Sequence, residues 1–95
     1  MIEVRQTSDF VKWLRALKDC RARTKIVARI DRFQHGLIGD AKYFDGIGEL
    51  RIDYGPGYRV YFAQRGQTLV ILLCGGDKKT QGRDIHKAIE MSKEV

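Results

Sequence analysis

At Ile47 the apolar residues change their spacing, and that change restricts the chain to a fold with helices first and a sheet after them. Upstream, Phe10, Trp13, Leu14 and Leu17 fall at i, i+3, i+4 and i+7, the stripe of a helix that buries one side. Ile26, Ile30, Phe33 and Leu37 form a second stripe. The two are out of phase, because extending the first would carry Thr24 and Asp31 onto its apolar side. One helix from Ser8 to Leu37 would also measure about 45 Å at 1.5 Å per residue, too long for a domain with a radius of about 13 Å. A helical hairpin broken around Asp19 to Arg23 is therefore expected. Ser8 or Asp9 would cap its start, and His35-Gly36 with Gly39-Asp40 would end it. Ahead of it, Ile2-Glu3-Val4-Arg5 alternates as a short strand.

From Ile47 onward the period is two. Leu50, Ile52 and Tyr54 share one strand face, and Glu49, Arg51 and Asp53 share the other. Gly55-Pro56-Gly57 makes a turn, after which Tyr58, Val60 and Phe62 alternate with Arg59, Tyr61 and Ala63. Arg65-Gly66 turns the chain again into the nearly unbroken apolar run Leu69 to Cys74, which Gly75-Gly76 should end. Tyr43-Phe44 falls in a loop-like stretch before these strands. The closing segment places Ile85, Ala88 and Ile89 on one side of a helix. The expectation is an α+β domain over residues 1–95: an N-terminal strand, a helical hairpin, a three-stranded antiparallel meander and a C-terminal helix, with the helices on one sheet face.

Composition narrows what such a domain does. A 43% hydrophobic chain with a single Pro is not disordered, and 95 residues are too few for two cores. Its longest apolar run is far short of a membrane span, so no membrane partner and a cytoplasmic location are expected. Cys20 and Cys74 cannot form a disulfide framework, and Cys74 reads as a buried small hydrophobe. No CxxC or HxxxH pair joins them to His35 or His86, so neither a metal nor a cofactor is expected. The net charge of +6 calls for an anionic partner. The excess sits between Lys12 and Arg32, where eight basic residues face two acids. That block is a solvated helix face, a contact to the RNA backbone, or a surface covered by an acidic partner segment.

The polar face of the meander carries the chemistry. If Tyr54 and Tyr58 pair across the turn, Asp53 stands opposite Arg59 and Arg51 opposite Tyr61. The run Gly75-Gly76-Asp77-Lys78-Lys79-Thr80 adds two ammonium groups at the rim, with Asp77 or Thr80 capping the next helix, and Arg83, His86 and Lys87 follow. No P-loop spacing is present. Cations beside a carboxylate suit attack of a ribose 2′-hydroxyl on its own phosphodiester. That reaction needs a base, fixed positive charge on the non-bridging oxygens, and a proton donor for the 5′-oxygen. Arginine suits the second task because its charged fork binds two phosphate oxygens at once. Glu49 is the candidate base, and Lys78, Lys79 or His86 the candidate donor.

These residues carry a resemblance. Gly48-Glu49-Leu50-Arg51, Gly57-Tyr58-Arg59-Val60-Tyr61-Phe62, and Leu72-Leu73-Cys74-Gly75-Gly76-Asp77-Lys78-Lys79-Thr80-Gln81 followed by Asp84-Ile85 resemble the RelE/ParE toxin superfamily, in its HigB-like, phage-derived addiction-module subgroup. The resemblance implies a βααβββα toxin of a type II toxin–antitoxin system, acting as a ribosome-dependent mRNA endoribonuclease that inhibits translation. By position, Arg59 resembles the arginine that stabilises the transition-state phosphate, and Arg51 its companion. Lys78 or Lys79 falls near the residue that protonates the leaving group, and His86 near a base-stacking aromatic. Glu49 stands where the RelE type has a lysine base. Tyr61, Arg83 and Lys87 would bind substrate. The implied partners are messenger RNA, the ribosome and a cognate helix-turn-helix antitoxin, with operator DNA reached only through the antitoxin complex. The superfamily also contains ParE toxins, so the alternative is a DNA gyrase inhibitor without nuclease activity.

Overall fold

The computed structural model describes residues 2–95. Its elements run β1 (Glu3–Gln6), α1 (Ser8–Ala16), α2 (Cys20–Gln34), β2 (Ala41–Phe44), β3 (Ile47–Ile52), β4 (Tyr58–Arg65), β5 (Leu69–Asp77), a 3-10 turn (Lys78–Thr80) and α3 (Gln81–Ser92). The sheet has five strands in the order β1-β5-β4-β3-β2. β2 to β5 form an antiparallel meander, and β1 joins the outer edge of β5 in parallel. The α+β class and element order are as expected, with one more strand in the meander.

The added strand is β2, in the stretch read as a loop. Asp45-Gly46 forms a two-residue hairpin between Phe44 and Ile47, and both turn residues have positive φ, 50° and 81°. Asp-Gly is the pair that a mirror-image tight turn selects, because only such residues tolerate φ > 0 twice in succession. The helical hairpin breaks earlier than expected, between Ala16 and Cys20. Asp19 caps α2 by accepting hydrogen bonds from the Arg21 and Ala22 amides at 2.9 and 3.3 Å. Thr7, not Ser8 or Asp9, caps α1. Its Oγ1 accepts from the Phe10 amide at 3.1 Å and donates to the Leu73 carbonyl at 2.6 Å, pinning the helix to β5. Leu37 lies beyond α2 and is exposed, so the second stripe ends at Phe33.

Helices cover both faces of the sheet, which corrects the one-sided packing expected above. Phe10, Ile26 and Phe33 from α1 and α2 pack with Leu50, Ile52, Val60, Phe62, Val70 and Leu72. On the opposite face Ile47, Tyr61, Ala63, Leu73 and Cys74 pack with Ala88 of α3. A bulge between Tyr61 and Phe62 lets Leu73 and Cys74 both serve this second core. Gly75-Gly76 does not break β5, which runs on to Asp77. The two glycines face opposite sides and admit close neighbours. A Cβ on Gly75 would stand 2.3 Å from the Trp13 ring, and one on Gly76 would stand 1.8 Å from Asp84 Oδ2.

Candidate functional site

The β3–β4 hairpin sets the site. Ile52 pairs with Tyr58 and leaves Asp53–Gly57 as the loop, so Arg51 stands opposite Arg59 and Glu49 opposite Tyr61. The expected pairs, Asp53 with Arg59 and Arg51 with Tyr61, are therefore replaced. The shift moves each partner by two positions and keeps every side chain on its face, because a strand repeats every two residues. What changes is the charge relation. Two guanidiniums now sit across a strand pair, with Cα atoms only about 4.5–5.5 Å apart, an arrangement that repels unless anions intervene.

Arg51 has such an anion. Its Nε donates to Glu49 Oε1 at 3.3 Å, and Gln81 Nε2 donates to Glu49 Oε2 at 2.9 Å. Glu49 is fully buried, so the carboxylate expected as a base is a buried tie between β3 and the first residue of α3. Gln81 was not singled out from the sequence; its amide is recognisable as a partner only once α3 lies on this face. Arg59 is half-buried, and among the described residues nothing accepts a hydrogen bond from its buried Nε. The Tyr61 hydroxyl is likewise buried without a partner. Burial first, then the nearby Glu49 carboxylate, holds the Tyr61 phenol well above the usual tyrosine range. Tyr61 is thus a core residue beneath the site and not a substrate contact.

Above this layer opens a cleft of about 380 Å³ lined by Asp40, Arg51, Ile52, Asp53, Gly55, Pro56, Gly57, Arg59 and Lys78. Lys78 comes from the 3-10 turn, whose geometry follows from a reciprocal cap. Asp77 Oδ1 accepts from the Lys79 and Thr80 amides at 2.8 and 3.3 Å, while the Asp77 amide reaches Thr80 Oγ1 at 3.4 Å. Thr80 does not cap α3 with its side chain; its hydroxyl donates to Asp84 instead. The turn lies against the hairpin loop, with Lys78 Cβ 3.5 Å from the position a Cβ on Gly57 would take.

The structure thus brings Arg51, Arg59 and Lys78 together and leaves the other expected residues elsewhere. Lys79 is exposed and does not line the cleft. Lys87 pairs with Asp9 of α1 at 3.2 Å, and Arg83 lies 3.7 Å from Asp84. His86 is exposed on α3 outside the cleft. All three lie on the helix covering the sheet, Arg83 in its first turn and His86 and Lys87 beyond it. Asp53, expected on the same face as Arg51 and Arg59, lines the cleft, and so does Asp40, which was not expected there.

Among the described residues, no helix is long and apolar enough to cross a membrane. The chain is 53% identical over 95 residues to a Haemophilus influenzae protein described as uncharacterized, an alignment covering 99% of this chain and 96% of that one. Residues 12–93, which include every residue of the cleft, match the family model described as Phage derived protein Gp49-like (DUF891), and the chain belongs to that family.

Proposed function

We propose that the chain is the toxin of a type II toxin–antitoxin pair, and that it cuts messenger RNA on the ribosome by attack of a 2′-hydroxyl on the adjacent phosphate. The observation that carries this reading is the opposed pair Arg51 and Arg59 lining one open cleft with Lys78. A phosphodiester supplies an anion for this pair. Its non-bridging oxygens accept from the two guanidiniums, whose grip tightens as charge builds on the five-coordinate phosphorus.

The proton balance assigns the remaining groups. Glu49 is enclosed, so the carboxylate on the lip, Asp53, accepts the 2′-hydroxyl proton while the new 2′-O–P bond forms. Lys78 gives its proton to the 5′-oxygen as the P–O5′ bond breaks. The products are a 2′,3′-cyclic phosphate and a free 5′-hydroxyl, with no metal or cofactor required by the step. Arg59→Ala is expected to abolish growth arrest in a protein that still folds, and primer extension in expressing cells should find cuts confined to translated regions. Arrest with intact messages and broken or linearised DNA would overturn the reading in favour of gyrase.

A further inference from the structure

The cleft is one end of a longer depression. A second hollow of about 460 Å³ lies beside it, lined on the α2 side by Lys25, Arg29 and Arg32. Asp40, Arg51, Ile52 and Asp53 line both, so the two adjoin around the end of β3 where β2 no longer flanks it. The far wall is α2, and the cations on it belong to the basic block of the sequence.

That wall is built by Arg29. Its guanidinium donates to the carbonyls of Ile38 and Asp40, drawing the connection after α2 back onto the helix. Gly39 is needed at that contact: its φ is +68°, and a Cβ there would stand 2.8 Å from the Arg29 guanidinium. Arg29 is thereby spent on the fold and is buried. Burial first, and then the charge of Arg32, lowers its pKa. Lys25 and Arg32 remain exposed and free of ion pairs among the described residues. They are seven residues apart, or about 10.5 Å along the helix. Neither lines the cleft that holds Arg59, so a chain of phosphates running through both hollows would meet all three.

We propose that this hollow on α2 is a second phosphate-binding site, in which Lys25 and Arg32 hold the sugar-phosphate backbone flanking the nucleotide in the cleft. The proposal rests on the cleft binding RNA, and it makes the ligand a single strand several nucleotides long. An acidic protein segment is the competing occupant of such a surface. The single strand is favoured because the hollow runs directly into the cleft where Arg51, Arg59 and Lys78 converge.

The test is equilibrium binding of fully 2′-O-methylated, hence uncleavable, fluorescent RNA of three and nine nucleotides, measured by anisotropy between 50 and 200 mM salt. For single strands the logarithmic salt slope is about 0.7 per phosphate neutralised, so one contact is worth about 2.6-fold in affinity over that fourfold range. The nine-mer should show the steeper slope. Lys25→Ala and Arg32→Ala should each lower it by about 0.7 and leave the three-mer unchanged, and Arg59→Ala should weaken both. Equal slopes for the two lengths, or unchanged slopes in the α2 variants, would overturn the second site. So would displacement of the nine-mer by poly-glutamate of equal charge at equal concentration, which would mark a surface for acidic protein. If Arg59→Ala alone is silent while the α2 variants behave as stated, the α2 site stands and the cleft assignment fails.

Discussion

Replacing Glu49 separates two roles that one carboxylate can have in the proposed reaction. A base must touch the 2′-hydroxyl, whereas a buried tie has only to hold Arg51 and Gln81. Glu49 has no exposed surface, and its two oxygens already accept at 3.3 and 2.9 Å. Glu49→Gln preserves volume, and its amide keeps both bonds by turning its oxygen to Arg51 Nε and its nitrogen to the Gln81 side-chain oxygen. The loss is the difference between charged and neutral hydrogen bonds, about 1 kcal/mol. For a domain of this size that lowers Tm by about 4–8 °C. Glu49→Ala removes both bonds and leaves a void. Because Arg51 keeps 30% of its side chain in water, the cost is held to about 2–3 kcal/mol. Single-turnover cleavage on programmed ribosomes, paired with thermal unfolding, distinguishes the roles. As a tie, Glu49→Gln retains activity within about tenfold, whereas loss of a base costs about 10²–10⁴. A hundredfold loss in Glu49→Gln with unchanged melting, and loss of the acidic limb of the pH–rate profile, would refute the buried-tie reasoning.

Tyr61 makes alkaline stability a probe of the same layer. Its folded pKa lies above the ordinary value of 10.0, so its contribution is complete below pH 10 and declines as pH rises through and beyond it, where only the unfolded chain ionises. Denaturation curves should weaken above pH 10, and Tyr61→Phe should remove that part of the decline. Gly76→Ala should lower the unfolding free energy by about 1–3 kcal/mol, since its methyl displaces Asp84, while Gly82→Ala, which meets nothing within 4 Å, should raise it by about 0.5–1 kcal/mol, both read from denaturation curves. Lys87→Ala breaks a pair whose members are 52% and 42% exposed, so it should cost no more than about 1 kcal/mol and leave RNA anisotropy titrations unchanged.

The parts of the fold set by periodicity were legible, and those set by turn chemistry were less so. The apolar stripes located α1 and α2, and the alternation from Ile47 located β3, β4 and their two faces. Asp45-Gly46 carried a hairpin signal strong enough to have revealed β2, but Ala41–Phe44 is short and half exposed. Gly75-Gly76 reads as a terminator by propensity. Only the structure shows Trp13 and Asp84 lying where side chains would otherwise stand. In the site, Arg51 and Arg59 were legible because a two-residue error in register leaves faces intact, and Lys78 because it follows directly on β5. Lys79, His86, Arg83 and Lys87 were drawn in by proximity in sequence, which counts for little once a 3-10 turn carries Lys79 away from Lys78 and α3 turns the other three away every 100°.

The least legible fact was the side of the sheet on which α3 lies, and it decides what the polar strand positions mean. Leu69 to Cys74 held the clue, since a strand apolar at every position must be covered on both faces. With α3 in place, Glu49 and Tyr61 pass from a wet surface into the core, and Arg51 and Arg59 stand at its margin. Their mutual repulsion is then only partly screened by water, and Glu49 offsets just one of the two. A sheet evolving for stability alone would replace the second arginine, because like charges directly opposite destabilise a strand pair. Retaining both in an open cleft is stable when the structure is completed by a bound anion, whose binding energy then offsets what the free protein gives up. Arg59→Leu should therefore stabilise the ligand-free protein against denaturant while removing its affinity for phosphodiesters. A variant that lost stability and kept RNA binding would show that Arg59 belongs to the fold.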